Sequence, residues 1–472
     1  MTEFVRHCAL QGRLVMVGCG SIGQAVMPLI FRHLGVTPDR VAVVTADERG
    51  RSVAAEYGVA FHEHTLTRDN WRQIVEPLLG EGGFLLNLSV DVSSLALMEL
   101  ARERNCLYLD TCIEPWAGAY VDPRVSPSLR SNYAFRENVL RLQAANPGTA
   151  TAVVAQGANP GLVSQLVKRA ALQIAADTGL DATPPADRAG WARLLQRLSV
   201  KVIHVAERDT QVGGRPKRRL EFVNTWSIDG FISEGRQPAE LGWGTHERHF
   251  PELGRRHEEG CRAAIYLNKP GAATRVRTWT PLAGPFNGFL ITHNEAISIA
   301  DYYTVRENGE AVYRPTVHYA YHPCDAAVLS VDEMAGRNWE EPAEKRLLMD
   351  EIESGMDELG VLLLGHAKNA YWYGSRLDIQ QARRLCPHNS ATTLQVAAGV
   401  LGGMVWAIEN PKAGIVEADD LGHDRVLEVA MPYLGPVVGV YGDWTPLQNR
   451  AVLFDEDLDR DDPWQFKNIL VA

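Results

Sequence analysis

Along the first 150 residues, short apolar runs alternate with stretches of helical period. The runs at 14–17, 41–44, 59–61, 85–88, 107–109 and 152–154 read as strands. Segments 22–34, 70–79, 94–104 and 132–144 between them carry apolar residues at helical spacing. Strand, helix, strand repeated in this way predicts an α/β fold. Its core would be a Rossmann-type doubly wound parallel sheet, six strands wide, with right-handed crossovers and helices on both faces.

The pattern changes after Asn159-Pro160-Gly161. Pro160 suits the first position of a helix capped by Asn159 and running to about residue 178. A Pro/Asp-rich loop follows. Residues up to about 321 then show β-rich runs without regular intervening helices, which predicts a larger α+β domain. The basic run 215–219 beside two glycines reads as a solvated hairpin tip. In the last third, 342–359 and the strongly apolar 392–408 read as helices. A helix as apolar as the second must be buried on most of its surface, either returning to the first domain or lying at an interface. The chain thus divides into residues 1–150 and 151–472.

Gly18, Gly20 and Gly23 stand in G-x-G-x-x-G spacing, with Ser21 and Ile22 between the last two, directly after a strand and before a helix. The first glycine permits the tight turn. The second lets backbone approach a pyrophosphate, and the third lets helix and strand pack closely. The pyrophosphate would then meet free N–H groups at the helix N-terminus. Asp47 ends the second strand, 24 residues beyond Gly23. A carboxylate there accepts from a ribose 2′-OH and repels a 2′-phosphate, so the pattern predicts NAD over NADP, with Glu48 as the alternative acid. Other strand ends should line the same crevice: Asn87, Ser89 and Asp91, then Thr111, then Gly157 and Asn159.

Composition narrows the rest. With 472 residues and 46% hydrophobic content, the chain has ample material for a core. Its net charge of −11 removes the basic footprint of a nucleic-acid binder and leaves organic cations open as ligands. Seven cysteines without a CxxC pair read as reduced thiols in a cytoplasmic protein. No signal peptide or membrane span is apparent. His318, His322 and Cys324 carry ligand types, but in a strand entering a Pro turn and without a fourth ligand, so no metal site is expected.

A dehydrogenase chemistry needs a base opposite the nicotinamide. Glu114 follows the fifth strand; Glu207 sits inside an apolar strand; Trp226 and Glu234 flank turn residues; His293 follows a hydrophobic strand. Asp91, Glu114, Glu207 and Glu234 with a tryptophan would make an acidic, aromatic-lined pocket suited to an organic cation.

Several segments bring a family into view: GSIGQAVMPLIFRH, YLDTCIEPWAG, GANPGLVS, HVAERDTQ, NTWSIDGFISEG, PAELGWGTHE and THNEAISIAD. Together they resemble the bacterial homospermidine synthases, whose NAD domain is similar to that of saccharopine dehydrogenase-like enzymes. The likeness runs from near residue 12 to the C-terminus. It implies aminobutyl transfer between polyamines: two putrescines give homospermidine and ammonia, with spermidine as an alternative donor. NAD would be recycled without net redox change, and ammonia would leave by direct exchange or through a hydrated aldehyde. It further implies that Asn159, Glu207, Trp226 and His293 surround the reacting amine and that Asp91, Glu114 and Glu234 hold ammonium groups. A homodimer is implied, with 151–472 serving substrate binding and dimerisation. The alternative is a net dehydrogenase of a secondary amine, of saccharopine or carboxyspermidine type, which would want an arginine opposite the nicotinamide for a substrate carboxylate.

Overall fold

The computed structural model describes residues 4–471, so the first three residues of the N-terminal stretch and the last residue of the chain lie outside it. Strands β1 (Leu14–Val17), β2 (Val41–Thr45), β3 (Ala60–Glu63), β4 (Phe84–Asn87), β5 (Leu107–Asp110) and β6 (Ala152–Val154) form one parallel sheet. Their order is 3-2-1-4-5-6, as the alternation predicts for the doubly wound fold. The apolar strands β1 and β4 are buried on both faces, because helices cover the sheet above and below. A seventh parallel strand, Ile415–Glu417, adds beside β6. It comes from the far end of the chain, so the first sheet is not built from the first 150 residues alone.

The second layer is a mixed ten-stranded sheet. Its centre is β7 (Val202–Asp209), paired parallel with Thr316–His322 and antiparallel with Met356–His366. Three short helices lie among its strands, Arg188–Leu198, Ile228–Arg236 and Asn294–Tyr302, where the sequence suggested none. Local caps explain two of them: Asp187 accepts from the Gly190 N–H, and Ser227 from the Gly230 N–H. The segment predicted as a helix over 342–359 is instead strands Glu344–Leu347, Ile352–Ser354 and the start of Met356–His366. A partner strand on β7 and the apolar continuation Val361–Leu364 outweigh its local helical pattern. The basic run 215–219 is no hairpin tip, because the strands flanking it pair with Ile352–Ser354 and Glu344–Leu347 rather than with each other. Lys217 is tied to Glu333 and Arg215 to Glu221.

Two further differences bear on the site. The helix expected from Pro160 begins at Leu162, after a cis Asn159–Pro160 bond and Gly161 at φ +127°. The Gly157 N–H donates to the Pro160 carbonyl at 2.7 Å, closing a turn that leaves the Asn159 side chain free of capping. Helix Ala391–Glu409 is the one helix among the described residues long and apolar enough to cross a membrane, and it is buried in the protein. It packs on helix α1 (Ser21–His33) and on the turn after β6. At Gly399 a Cβ would stand 2.0 Å from the Gly157 carbonyl oxygen, so only glycine permits this approach. The helix therefore joins the two layers within one chain.

Candidate active site

The candidate residues gather in two adjoining places. The first is a groove of about 630 Å³ at the carboxyl edge of the parallel sheet, the usual position for a ligand of this topology. Gly18, Gly20, Ser21, Ile22, Asp47, Ser89 and Asp91 lie on its wall. Gly18 has φ +92°, and a Cβ there would strike the Leu88 carbonyl group at 2.7 Å. At Gly20 a Cβ would meet nothing within 4 Å and would project into open space. Gly20 also caps α1 without any side-chain hydrogen bond to the first turn. An uncapped helix start beside unfilled space fits a pyrophosphate. The residues present therefore fit a dinucleotide.

The other predicted groove residues act from behind the wall or beside it. Gly23 packs against the Gly18 carbonyl, and Asn87 accepts from the Ser89 hydroxyl at 2.6 Å. Thr111 and Gly157 lie close together at the sheet edge, off the groove wall. Of the two acids offered after β2, Asp47 lines the groove, whereas Glu48 faces Arg51 at 3.7 Å. Residues of the second domain, Ser227, Ile228, Asp229 and Leu347, complete the wall.

The second place begins at Asp91, whose N–H donates to Glu114 Oε2 at 3.3 Å. Glu114 Oε1 accepts from the Cys112 thiol at 3.3 Å. Burial pushes the Glu114 carboxyl up to about 8, and the charges of Asp91 and Glu234 add to that. Glu234, on helix Ile228–Arg236, pairs with His293 Nε2 at 3.1 Å, while Glu295 pairs with Nδ1 at 3.2 Å. Burial disfavours the imidazolium, but the two carboxylates outweigh it and raise His293 to about 10.

The His293 ring lies 4.4 Å from that of Tyr319, whose hydroxyl donates to Glu207 Oε2 at 2.5 Å. Asn159 Nδ2 donates to the same oxygen at 3.0 Å. Glu207 is 2% exposed, and burial raises it to about 7 against the pull of those two donors. Tyr321 stacks on Tyr319 and accepts from the Trp226 indole N–H at 2.9 Å. The seven residues singled out for amine chemistry thus fall in two groups, Asp91 with Glu114, and Asn159, Glu207, Trp226 and Glu234 with His293, related by the charge of Glu234 acting on Glu114.

Further members were not singled out from sequence. Tyr319 and Tyr321 sit in a strand that resembled ordinary core. Asp209 shares the Glu207 face of β7, two residues on, and register places Asp357 opposite it. Asp209 accepts from the Thr225 hydroxyl at 2.6 Å and Asp357 from the Thr392 hydroxyl at 2.5 Å. Asp357 Oδ1 is buried without a partner. Burial and the charges of Glu207 and Asp209 drive its carboxyl well above the usual range. Reading 342–359 as a helix hid Asp357, since only strand pairing brings it to Asp209. Alternation along β7 supplied a usable signal for Asp209.

Arg208 points to the opposite face of β7, where it meets the Pro323 carbonyl and Asp325. No arginine accompanies Glu207 in the hydrogen bonds of this set. The His318 ring lies 4.1 Å from that of His204, tilted by 34°, and burial lowers its pKa to about 4.

Known proteins share this sequence and fold over their full length. Two family models match the chain, the saccharopine dehydrogenase NADP binding domain over residues 14–153 and its C-terminal domain over 157–443. The homospermidine synthase of Blastochloris viridis is 56% identical over 475 residues, covering 100% of both chains. That of Mesorhizobium japonicum is 53% identical over 98% of this chain and 97% of its own. The crystal structure of the Legionella pneumophila homospermidine synthase in complex with NAD is 46% identical, covers 100% of both chains and superposes with a TM-score of 0.93. With more than half of its residues shared over the full length and the same fold throughout, the chain belongs to the homospermidine synthase family.

Proposed function

We propose that the enzyme joins two putrescines into homospermidine with release of ammonia, using NAD held in the groove and recycled within each turnover. One observation carries this reading. Asp91 lies on the wall of the dinucleotide groove and is bonded to Glu114, the first of the buried carboxylates, so cofactor and polyamine sites share an edge.

NAD, when bound, accepts two electrons from the carbon bearing the substrate amine and returns them to the new carbon–nitrogen bond. The protein's own residues handle charge and protons. An alkylammonium, with pKa ~10.4, cannot be oxidised at its carbon until it loses a proton. Glu207, titrating at about 7, can take that proton, and its bonds to Tyr319 and Asn159 fix the direction from which it does so. His293, at about 10, stays charged at neutral pH and serves to orient Glu234. Asp91, Glu114 and Glu234 receive ammonium groups, and Trp226 offers a π face worth ~0.5–2 kcal/mol to a cation. A cationic substrate would draw Glu114 and Glu207 toward their ionised forms. Spermidine, with the same aminobutyl end, is the alternative donor.

The same reading includes residues 1–150 as the nucleotide-binding domain, with 151–472 serving substrate binding and dimerisation. A cytoplasmic setting is supported by seven cysteines that all remain free thiols. A homodimer is part of it too, and the loop exposing Val452, Leu453 and Phe454 is the apolar surface such a contact could use.

The test is incubation with putrescine and a trace of NAD. Homospermidine and ammonia should accumulate in equal amounts over many turnovers, with no matching rise in NADH absorbance. One-for-one consumption of NAD without a secondary amine would instead mark a net dehydrogenase.

A further inference from the structure

We infer that the groove contains a masked site for a 2′-phosphate, with Arg49 as the phosphate ligand and Asp47 as the group that blocks it. The inference rests on the reading of this groove as a dinucleotide site.

Asp47 and Arg49 both lie on the groove wall just past β2. Arg49 turns back on Asp47: its N–H donates to Oδ1 at 3.0 Å, and Nε and an Nη donate to Oδ2 at 2.9 and 2.7 Å. Those bonds hold the Asp47 carboxyl below its usual range. Neither group is buried, with side-chain exposures of 40% and 61%, so the pair is open to a ligand. Strand β3 pairs beside β2, with Glu63 opposite Thr45, and the chain leaving β3 brings His64 and Arg68 to the same wall. Three basic side chains therefore gather at the ribose end of the groove. Asp47 and Asp69 are the acids beside them, and Asp229, on the facing part of the wall and paired with Lys345, is near enough to act on Arg49.

A guanidinium fork binds a carboxylate or a phosphate with the same geometry. With Asp47 in place, the fork is occupied and a 2′-phosphate would face a carboxylate at short range. The same carboxylate remains able to accept from a 2′-OH. Selectivity for NAD is then a property of the pair. Removing the acid should not merely weaken NAD binding; it should release a ready phosphate ligand.

The experiment titrates NAD, NADP, 2′-AMP and 5′-AMP into nucleotide-free protein, read by calorimetry. Wild type should prefer NAD over NADP. Asp47→Ser should move the NADP/NAD affinity ratio toward NADP by roughly tenfold or more, and should favour 2′-AMP over 5′-AMP in the same direction. The gain should weaken with added salt. Asp47→Asn, which preserves size, should shift the ratio in the same direction. Asp47→Ser combined with Arg49→Ala should lose the gain. Unchanged ratios in both single variants, or a gain that survives loss of Arg49, would overturn the masked site while leaving NAD binding intact. Wild-type protein that binds none of the four probes would overturn the dinucleotide reading and this inference with it.

Discussion

The dinucleotide groove and the proposed amine site are neighbours built on opposite principles. The groove is made largely of backbone: a glycine turn, an uncapped helix start and short segments at successive strand ends. The proposed amine site is made largely of side chains from seven separated stretches, near 91, 114, 159, 207, 226–234, 293–295 and 319–321. Two of its carboxylates, Glu114 and Glu207, are buried, and burial raises the pKa of both. A backbone site needs a spacing in one short stretch of sequence. A side-chain site needs the whole tertiary structure.

That contrast predicts that the two places can be damaged separately. Glu207→Gln keeps shape and removes the proposed base, so kcat should fall by about 10²–10⁴-fold while NAD affinity by calorimetry is unchanged. A parallel loss of NAD binding would mean the two sites are not separable. Gly20→Val should do the reverse. Its side chain enters the open space above the helix start, so NAD affinity should fall about 100-fold with little change in melting temperature. Trp226→Ala should lower kcat/KM for putrescine by about 2- to 30-fold, matching a lost cation–π contact, and should impair catalysis more than folding. Full activity in that variant would remove the tryptophan from the amine site.

The smallest effects come with pH. If Glu207 must be ionised, kcat/KM should drop about fourfold between pH 8 and 6.5, as a group titrating near 7 requires. Stability of the unliganded protein should move the opposite way. Folded Glu207 and Glu114 retain protons to about 7 and 8, whereas unfolded glutamate loses its proton near 4.3. The native state then binds more protons between these limits, so urea melts should show stability falling as pH rises from about 4.5 to about 8. Added putrescine should lessen that slope, because it favours the ionised carboxylates. Stability that rises with pH over this window would remove the buried-carboxylate account.

Much of this was open to reading from residues. Period and glycine spacing specified the parallel sheet and the groove, since strands buried on both faces are continuously apolar and a pyrophosphate turn demands small residues at fixed intervals. Strand-end position and local context brought out Asp91, Glu114, Asn159, Glu207, Trp226, Glu234 and His293, and motif likeness suggested their roles, although nothing in their spacing could show that they converge. Asp357 escaped because its local pattern is helical and its actual partner, β7, lies some 150 residues earlier in the chain. Tyr319 escaped because a tyrosine in an apolar strand resembles core until its hydroxyl is seen on Glu207.

The amino-acid sequence by itself therefore determined the α/β class, the dinucleotide turn and the acid after β2, each a matter of local steric or hydrogen-bonding need. Tertiary structure alone decided three other things. It sent helix Ala391–Glu409 into the seam between the layers, where Gly399 meets Gly157. It carried strand Ile415–Glu417 back to complete the first sheet. It also set Glu207, Asp209 and Asp357 side by side, because register across strands distant in sequence governs which charges must share one buried space.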